Sequence, residues 1–180
     1  MNNVFVVQGI GFIGVALSLL SYQIKSNKVL YMMQTLGCLV FCLQFALMGQ
    51  FSGTFSLLVT ILRNCMILGH KKYEWLKWKG WILVLMGISI FVMILTWKGP
   101  LSILATLGVF VCHYFYWEND AQKIRIGNLF IASPSWIIYD VCVGNLAGVV
   151  NESICMGSVL LSIYRYGWNA MSGENSEFQN

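Results

Sequence analysis

Charge is what this sequence has least of. Only 10% of its 180 residues are charged, against roughly 25% in a soluble domain. Hydrophobic residues fill 58% of it, and mean hydropathy is +0.70. No soluble core of this size needs so much apolar surface, so the composition implies lipid as the solvent. Proline occurs twice, as Pro100 and Pro134, and histidine twice, as His70 and His113. The cysteines (Cys38, Cys42, Cys65, Cys112, Cys142, Cys155) form no CxxC pair and have no histidine at ligand spacing. Disulfide, zinc and redox roles are therefore not expected, and the thiols read as small, weakly polar packing groups. HExxH, GxSxG, an ATP-binding loop and carboxylates paired at working spacing are absent as well. Neither an enzyme nor a cofactor or metal is expected.

What remains is organised by the bilayer. Apolar runs of ~20 residues predict seven transmembrane helices near 4–23, 29–48, 51–69, 80–97, 100–117, 124–143 and 146–167. The first run lacks a basic n-region and a cleavage site, so it reads as a retained helix. Residues 168–180 are polar and small, which predicts a disordered tail. Gly49, Gly99 and Gly144 punctuate the short turns after the second, fourth and sixth runs. The net charge of +4 could suit nucleic acid, but the basic residues sit between apolar runs, so no such partner is expected. Lys25, Lys28, Lys71, Lys72, Lys77, Lys79, Lys123, Arg125 and Arg165 fall on one side of a seven-span chain, and Lys98 on the other. The positive-inside rule then gives N-out and C-in.

The runs also repeat. An ungapped shift of 95 positions lays Gly49-Gln50-Phe51-Ser52-Gly53 on Gly144-Asn145-Leu146-Ala147-Gly148, Phe41 on Trp136, Gln44 on Tyr139 and Lys28 on Lys123. The fold class expected is an all-α membrane protein built as a 3+1+3 parallel repeat. The first three-helix block is 1–69, a cytoplasmic loop and linker helix occupy 70–99, and the second block is 100–167. Such repeats commonly build a solute site near mid-membrane.

Polar residues inside the runs mark candidates for that site. Ser52, Ser56, Thr60 and Arg63, with Asn64 alongside, share one face of the third run. Asn151, Cys155, Ser158 and Ser162, with Glu152 alongside, share one face of the seventh. Small hydroxyl residues serve helix packing equally well, but an ionisable group near the bilayer centre costs ~2.5–3.5 kcal/mol and normally faces a cavity or partner. Glu152 is the strongest candidate on that ground. Asp140, close to a run's outer end, is explained as well by interfacial exposure. Arg63 could snorkel, bind or couple, and His113 is either a proton-linked group or a hydrogen-bonded packing residue. Phe41 and Gln44 in the second run match Trp136 and Tyr139 in the sixth, aromatic plates with polar tips that suit a flat or sugar-like solute and equally suit ordinary packing or anchoring at the interface. Pro134 frees a backbone carbonyl and predicts a kink or hinge. Trp75, Trp78 and Trp81 fit an interfacial belt.

Leu20-Ser21-Tyr22-Gln23-Ile24-Lys25-Ser26, then Leu47-Met48-Gly49-Gln50-Phe51-Ser52-Gly53 and Leu62-Arg63-Asn64, resemble the YgjV-type bacterial inner-membrane protein family over nearly all the membrane region. That resemblance implies a multi-pass inner-membrane location. A more distant similarity is to SWEET sugar transporters, PQ-loop proteins and nicotinamide riboside carriers, with Tyr22-Gln23-Ile24-Lys25 where PQ-loop proteins carry Pro-Gln. The function expected is a facilitative or ion-coupled permease for a small polar solute, working by alternating access. Asn151 and Glu152 would hold the solute, Ser56, Thr60, Asn64 and Ser158 would line the path, and Phe41 and Trp136 would wall it. The alternative is a non-transporting receptor or scaffold on the same seven helices. One chain carries a complete pathway in this reading, so a homo-oligomer is allowed but not required.

Overall fold

The computed structural model describes residues 2–21, 27–70, 72–118 and 126–166. Among them there are helices and turns and no strand. Seven helices are formed: α1 (Asn2–Ser21), α2 (Asn27–Leu47), α3 (Phe51–Gly69), α4 (Gly80–Leu95), α5 (Leu101–Glu118), α6 (Asn128–Val143) and α7 (Leu146–Tyr166). By length and composition α3 and α5 could each cross a membrane, and the other five carry shorter apolar stretches. The Tyr22-Gln23-Ile24-Lys25 segment, Lys71, Lys123, Arg125 and the tail lie outside the described residues.

Glycine ends α2 and α6 in the same way. Gly49 (φ 70°) and Gly144 (φ 75°) are left-handed, a region that costs glycine nothing. Behind each, two backbone bonds close the helix: Gln50 N–H to Phe45 O at 2.9 Å with Gly49 N–H to Ala46 O at 3.0 Å, and Asn145 N–H to Asp140 O at 2.8 Å with Gly144 N–H to Val141 O at 3.2 Å. Both are Schellman caps, which satisfy carbonyls that a helix end would otherwise leave unpaired.

The helices pack as a ring in the order α1, α2, α3, α5, α6, α7 and back to α1, with α4 outside against α3 and α5. One end of the ring, the hairpin end, collects the turns at Gly49, Lys98 and Gly144: Gln8 Nε2 donates to Gly144 O, Lys98 Nζ to Gly49 O and Ser52 Oγ to Thr96 O. At the other end the loop after α3 folds back. Leu76 packs with Met66 and Trp117, and the His70 ring meets Trp117 edge-on at 4.9 Å.

The polarity of this ring runs opposite to that of a soluble bundle. On α3, Ser52, Ser56, Arg63 and Asn64 are buried, whereas Phe51, Phe55, Leu58 and Leu62 are exposed. On α4, Leu83, Phe91, Ile94 and Leu95 are exposed, and Ser89 is buried. Polar groups inside and large apolar groups outside are stable together only when the surroundings are hydrocarbon.

Helix α6 begins with a π-turn, Asn128–Ala132, before continuing as an α-helix from Ser133. Pro134 is the cause. It has no N–H to offer the carbonyl one turn back, and its ring crowds that carbonyl. The helix widens instead, and Ser133 N–H reaches Asn128 O, five residues earlier. The kink expected at Pro134 is thus a π-turn on its N-terminal side.

Burial holds His70 below the ordinary histidine pKa, nearby Lys77 adds to this, and a backbone hydrogen bond at Leu76 opposes it. Its Nε2 is buried without a partner. As pH falls below about 6.5, the unfolded loop gains its proton before the folded one, so loop stability is complete above that pH and declines below it. Limited proteolysis of the 70–79 segment should accelerate between pH 7.5 and 5.5, and His70→Phe should flatten that dependence.

Candidate functional site

Arg63 anchors a polar cluster inside the ring. It is 3% exposed, held where it is by α3's buried face. Its Nε and Nη2 donate to Asn64 Oδ1 at 3.2 and 2.9 Å, and its Cζ lies 4.3 Å from the Tyr116 ring centroid on α5. The second terminal nitrogen, Nη1, is buried with no partner. Beside it, Cys112 Sγ donates to Asn128 Oδ1 at 3.4 Å, and Asn128 Nδ2 donates to the Tyr116 hydroxyl at 3.1 Å. The π-turn contributes directly here, because it sets Asn128 facing α5.

Nearer the hairpin end, Glu152 on α7 accepts from Ser133 Oγ at 2.6 Å and from Asn151 Nδ2 at 3.2 Å. Arg63 and Glu152, both described, make no ion pair with each other. Cys38 on α2 and Cys112 on α5 lie within electrostatic reach of both charges. At ~1.5 Å rise per residue, Arg63 lies roughly 18 Å along α3 from the hairpin end and Glu152 roughly 9 Å along α7. The charges therefore stand at two depths, with the two thiols between them. Cys38, Cys112, Asn128 and Glu152 all keep intermediate exposure.

A second network closes the ring at the hairpin end. Gln44 Nε2 donates to Asn145 Oδ1 at 2.8 Å and to Gln8 Oε1 at 3.3 Å, Asn145 Nδ2 donates to Asp140 Oδ1 at 3.0 Å, and Gly148 N–H donates to Asn145 Oδ1 at 3.1 Å. Gln44, Asp140 and Asn145 are all at most 2% exposed. Asp140 is therefore a buried carboxylate rather than an interfacial one, because the Gly144 turn folds Asn145 back over it. On the opposite side of this end, a pocket of about 290 Å³ is lined by Gln50, Ser52, Lys98, Ser102, Tyr139 and Cys142. Ser52 Oγ and Ser102 Oγ are 3.0 Å apart, and the Tyr139 hydroxyl accepts Gly53 N–H at 3.1 Å.

The structure sorts the residues singled out in the sequence. Asn64, Arg63, Asn151 and Glu152 belong to the inner cluster, and Gln44 and Tyr139 to the hairpin end. Ser56 is buried, and Thr60 Oγ1 donates to Ser56 O at 3.2 Å within its own helix. Ser158 is exposed, so it does not face the site as its repeat mate Arg63 does. Phe41 and Trp136 do not form one wall. Phe41 packs with Val15 and Ala147, while Trp136 packs with Phe45 and Tyr139 at centroid distances of 6.0 and 5.7 Å. Cys112, Tyr116, Ser133, Gln8 and Asn145 join the networks without having stood out as site residues. A lone Gln8 inside the apolar first run is the signal that could have found one of them.

His113 is fully buried and turns toward α4, where its Nε2 lies 2.8 Å from Ser89 Oγ. Ser89 donates its own proton to Leu85 O at 3.0 Å, so Nε2 carries the ring proton and Nδ1 is left unpartnered. This geometry ties the outer helix to the ring. His113→Leu should cost about 1 kcal/mol in thermal unfolding and leave any solute flux and its pH profile unchanged.

The six cysteines form no disulfide, and among the described residues no cluster of His, Cys, Asp and Glu could hold a metal ion. Comparison with curated proteins and with solved structures gives no match, so the likeness to SWEET transporters rests on the sequence pattern alone. A family comparison does match, over residues 5–169, nearly the whole membrane region. An apolar helical ring with its charges turned inward accords with that match: the chain belongs to the Imp-YgjV family, bacterial inner membrane proteins.

Proposed function

We propose that this inner-membrane protein is a transporter of a small polar solute, facilitative or ion-coupled, in which two three-helix blocks rock about a site between them. The observation that carries this reading is the Arg63–Asn64 and Glu152–Asn151–Ser133 cluster held inside the ring. Charged groups at that depth cost several kcal/mol unless they serve a wet path or a partner.

Two features support a parallel 3+1+3 repeat. The Schellman caps of α2 and α6 stand 95 positions apart, like the sequence match. The α3–α5 and α1–α7 contacts are those that a twofold axis through the ring would exchange. Under this proposal α1–α3 and α5–α7 are the rocking units, α4 is the linker, and the π-turn before Pro134 is a place where α6 can bend. The lysine distribution supports N-out and C-in. No step in this reading calls for enzymatic chemistry or a cofactor.

Reconstitution in liposomes tests it directly. Counterflow of a solute found by thermal-shift screening, abolished by Glu152→Ala in folded protein, is the expected result. A bound solute that never crosses would move the assignment to a receptor or scaffold.

A further inference from the structure

We propose that the inner cluster takes a zwitterionic solute, its anionic group paired with Arg63 and its ammonium group with Glu152. This inference rests on the solute-site reading above and narrows it to a substrate class.

Three observations carry it. The first is the orphan donor. Arg63 is 3% exposed, Nε and Nη2 are committed to Asn64, and Nη1 is buried with no hydrogen-bond partner, the Cys112 thiol beside it being a weak acceptor only. A buried guanidinium with a free N–H edge is suited to a planar carboxylate, which it can bind with two parallel bonds. The second is that the opposite charge is present but apart. Glu152 is oriented by Ser133 and Asn151 rather than by Arg63. The third is what lies between them. By depth along their helices Cys38 and Cys112 fall between Arg63 and Glu152, and both carry small, weakly polar side chains.

These features discriminate between ligand classes. A neutral polyol would leave both charges uncompensated. A simple anion would satisfy Arg63 but face the Glu152 carboxylate, and a simple cation would do the reverse. A molecule carrying both charges a few bonds apart compensates both at once, and its net charge of zero lowers the cost of entering the membrane interior. The charge order also gives the solute a direction, its ammonium toward the hairpin end.

The test uses the full chain, purified in detergent. Thermal shift and calorimetry are run with the twenty proteinogenic amino acids, and with the C-terminal amide and N-acetyl derivative of each that binds. Glucose and ribose serve as neutral controls and succinate as an anionic one. The expected result is a zwitterion that binds at least tenfold tighter than its amide and its N-acetyl form. Arg63→Gln should remove the preference over the amide, and Glu152→Gln the preference over the N-acetyl form. These preferences are ratios within one folded variant, so a general loss of stability does not imitate them. No binding by any zwitterion to cooperatively melting protein would overturn the proposal, as would binding indifferent to either derivative. A sugar hit transported in liposomes would overturn the substrate class and leave the transporter reading standing. Zwitterion binding without counterflow would uphold the class and overturn transport.

Discussion

Asn145→Leu should be the most destabilising of the conservative-volume substitutions in this protein. One side chain there serves three elements. It donates to Asp140 Oδ1, accepts from Gln44 Nε2 and accepts from Gly148 N–H. Leucine fills the space but leaves the Asp140 carboxyl and the Gly148 N–H buried and unpaired, and Gln44 Nε2 with Gln8 alone. Each buried polar group left without its partner costs about 1–3 kcal/mol, so the two together cost about 2–6 kcal/mol. For a chain of this length the melting temperature in detergent should fall by roughly 4–24 °C. Adding Asp140→Leu to Asn145→Leu should recover part of the loss, because the unpaired carboxylate is then gone. A single variant as stable as wild type would mean that this network does not hold α2, α6 and α7 together. The glycine at 148 belongs to the same argument: a Cβ there would collide with the Asp140 carboxyl and the Asn145 amide.

Arg63→Leu should have the opposite signature, with stability retained and solute binding lost. The guanidinium gains from Asn64 and from the face of Tyr116, the latter up to about 2 kcal/mol when desolvated. Against this stands the cost of a charge in the membrane, ~2.5–3.5 kcal/mol on insertion scales. The two nearly cancel, and replacing buried ions by apolar side chains is often neutral or stabilising. Under the proposed function, a side chain that stabilises the fold so little and carries an unpartnered N–H is retained for what it binds. Uptake of the solute should drop by 100-fold or more while the melting temperature stays within a few degrees of wild type. Unfolding of this variant would make Arg63 a structural residue, and unchanged uptake would remove it from the site.

The elements and their membrane setting were legible in the sequence because both follow from local pattern. Apolar run length marks the helices, and glycine at 49, 99 and 144 marks the turns, since only glycine occupies a left-handed turn without strain. The polar faces of α3 and α7 were also legible from helical spacing, and Arg63, Asn64, Asn151 and Glu152 came from them. Ser158 shows the limit. It shares a stripe with Asn151, yet it is exposed, because helical spacing defines a face but not which neighbour that face meets. Phe41 and Trp136 show the same limit for the repeat: matched positions sit in different packing clusters, since α1 covers one and α5 the other.

By itself the sequence determined that this is an all-helical membrane protein, with helix positions, turns and two polar faces, because those depend on residues close along the chain. Only the tertiary structure decided which polar groups meet. Asn145 joins Gln44 across 101 positions, and His113 Nε2 meets Ser89 across 24. A π-turn before Pro134 set where Asn128 points. Such contacts between distant helices depend on relative rotation and depth, which no local period encodes. They are what left Arg63 with a free donor and Glu152 with its own supports.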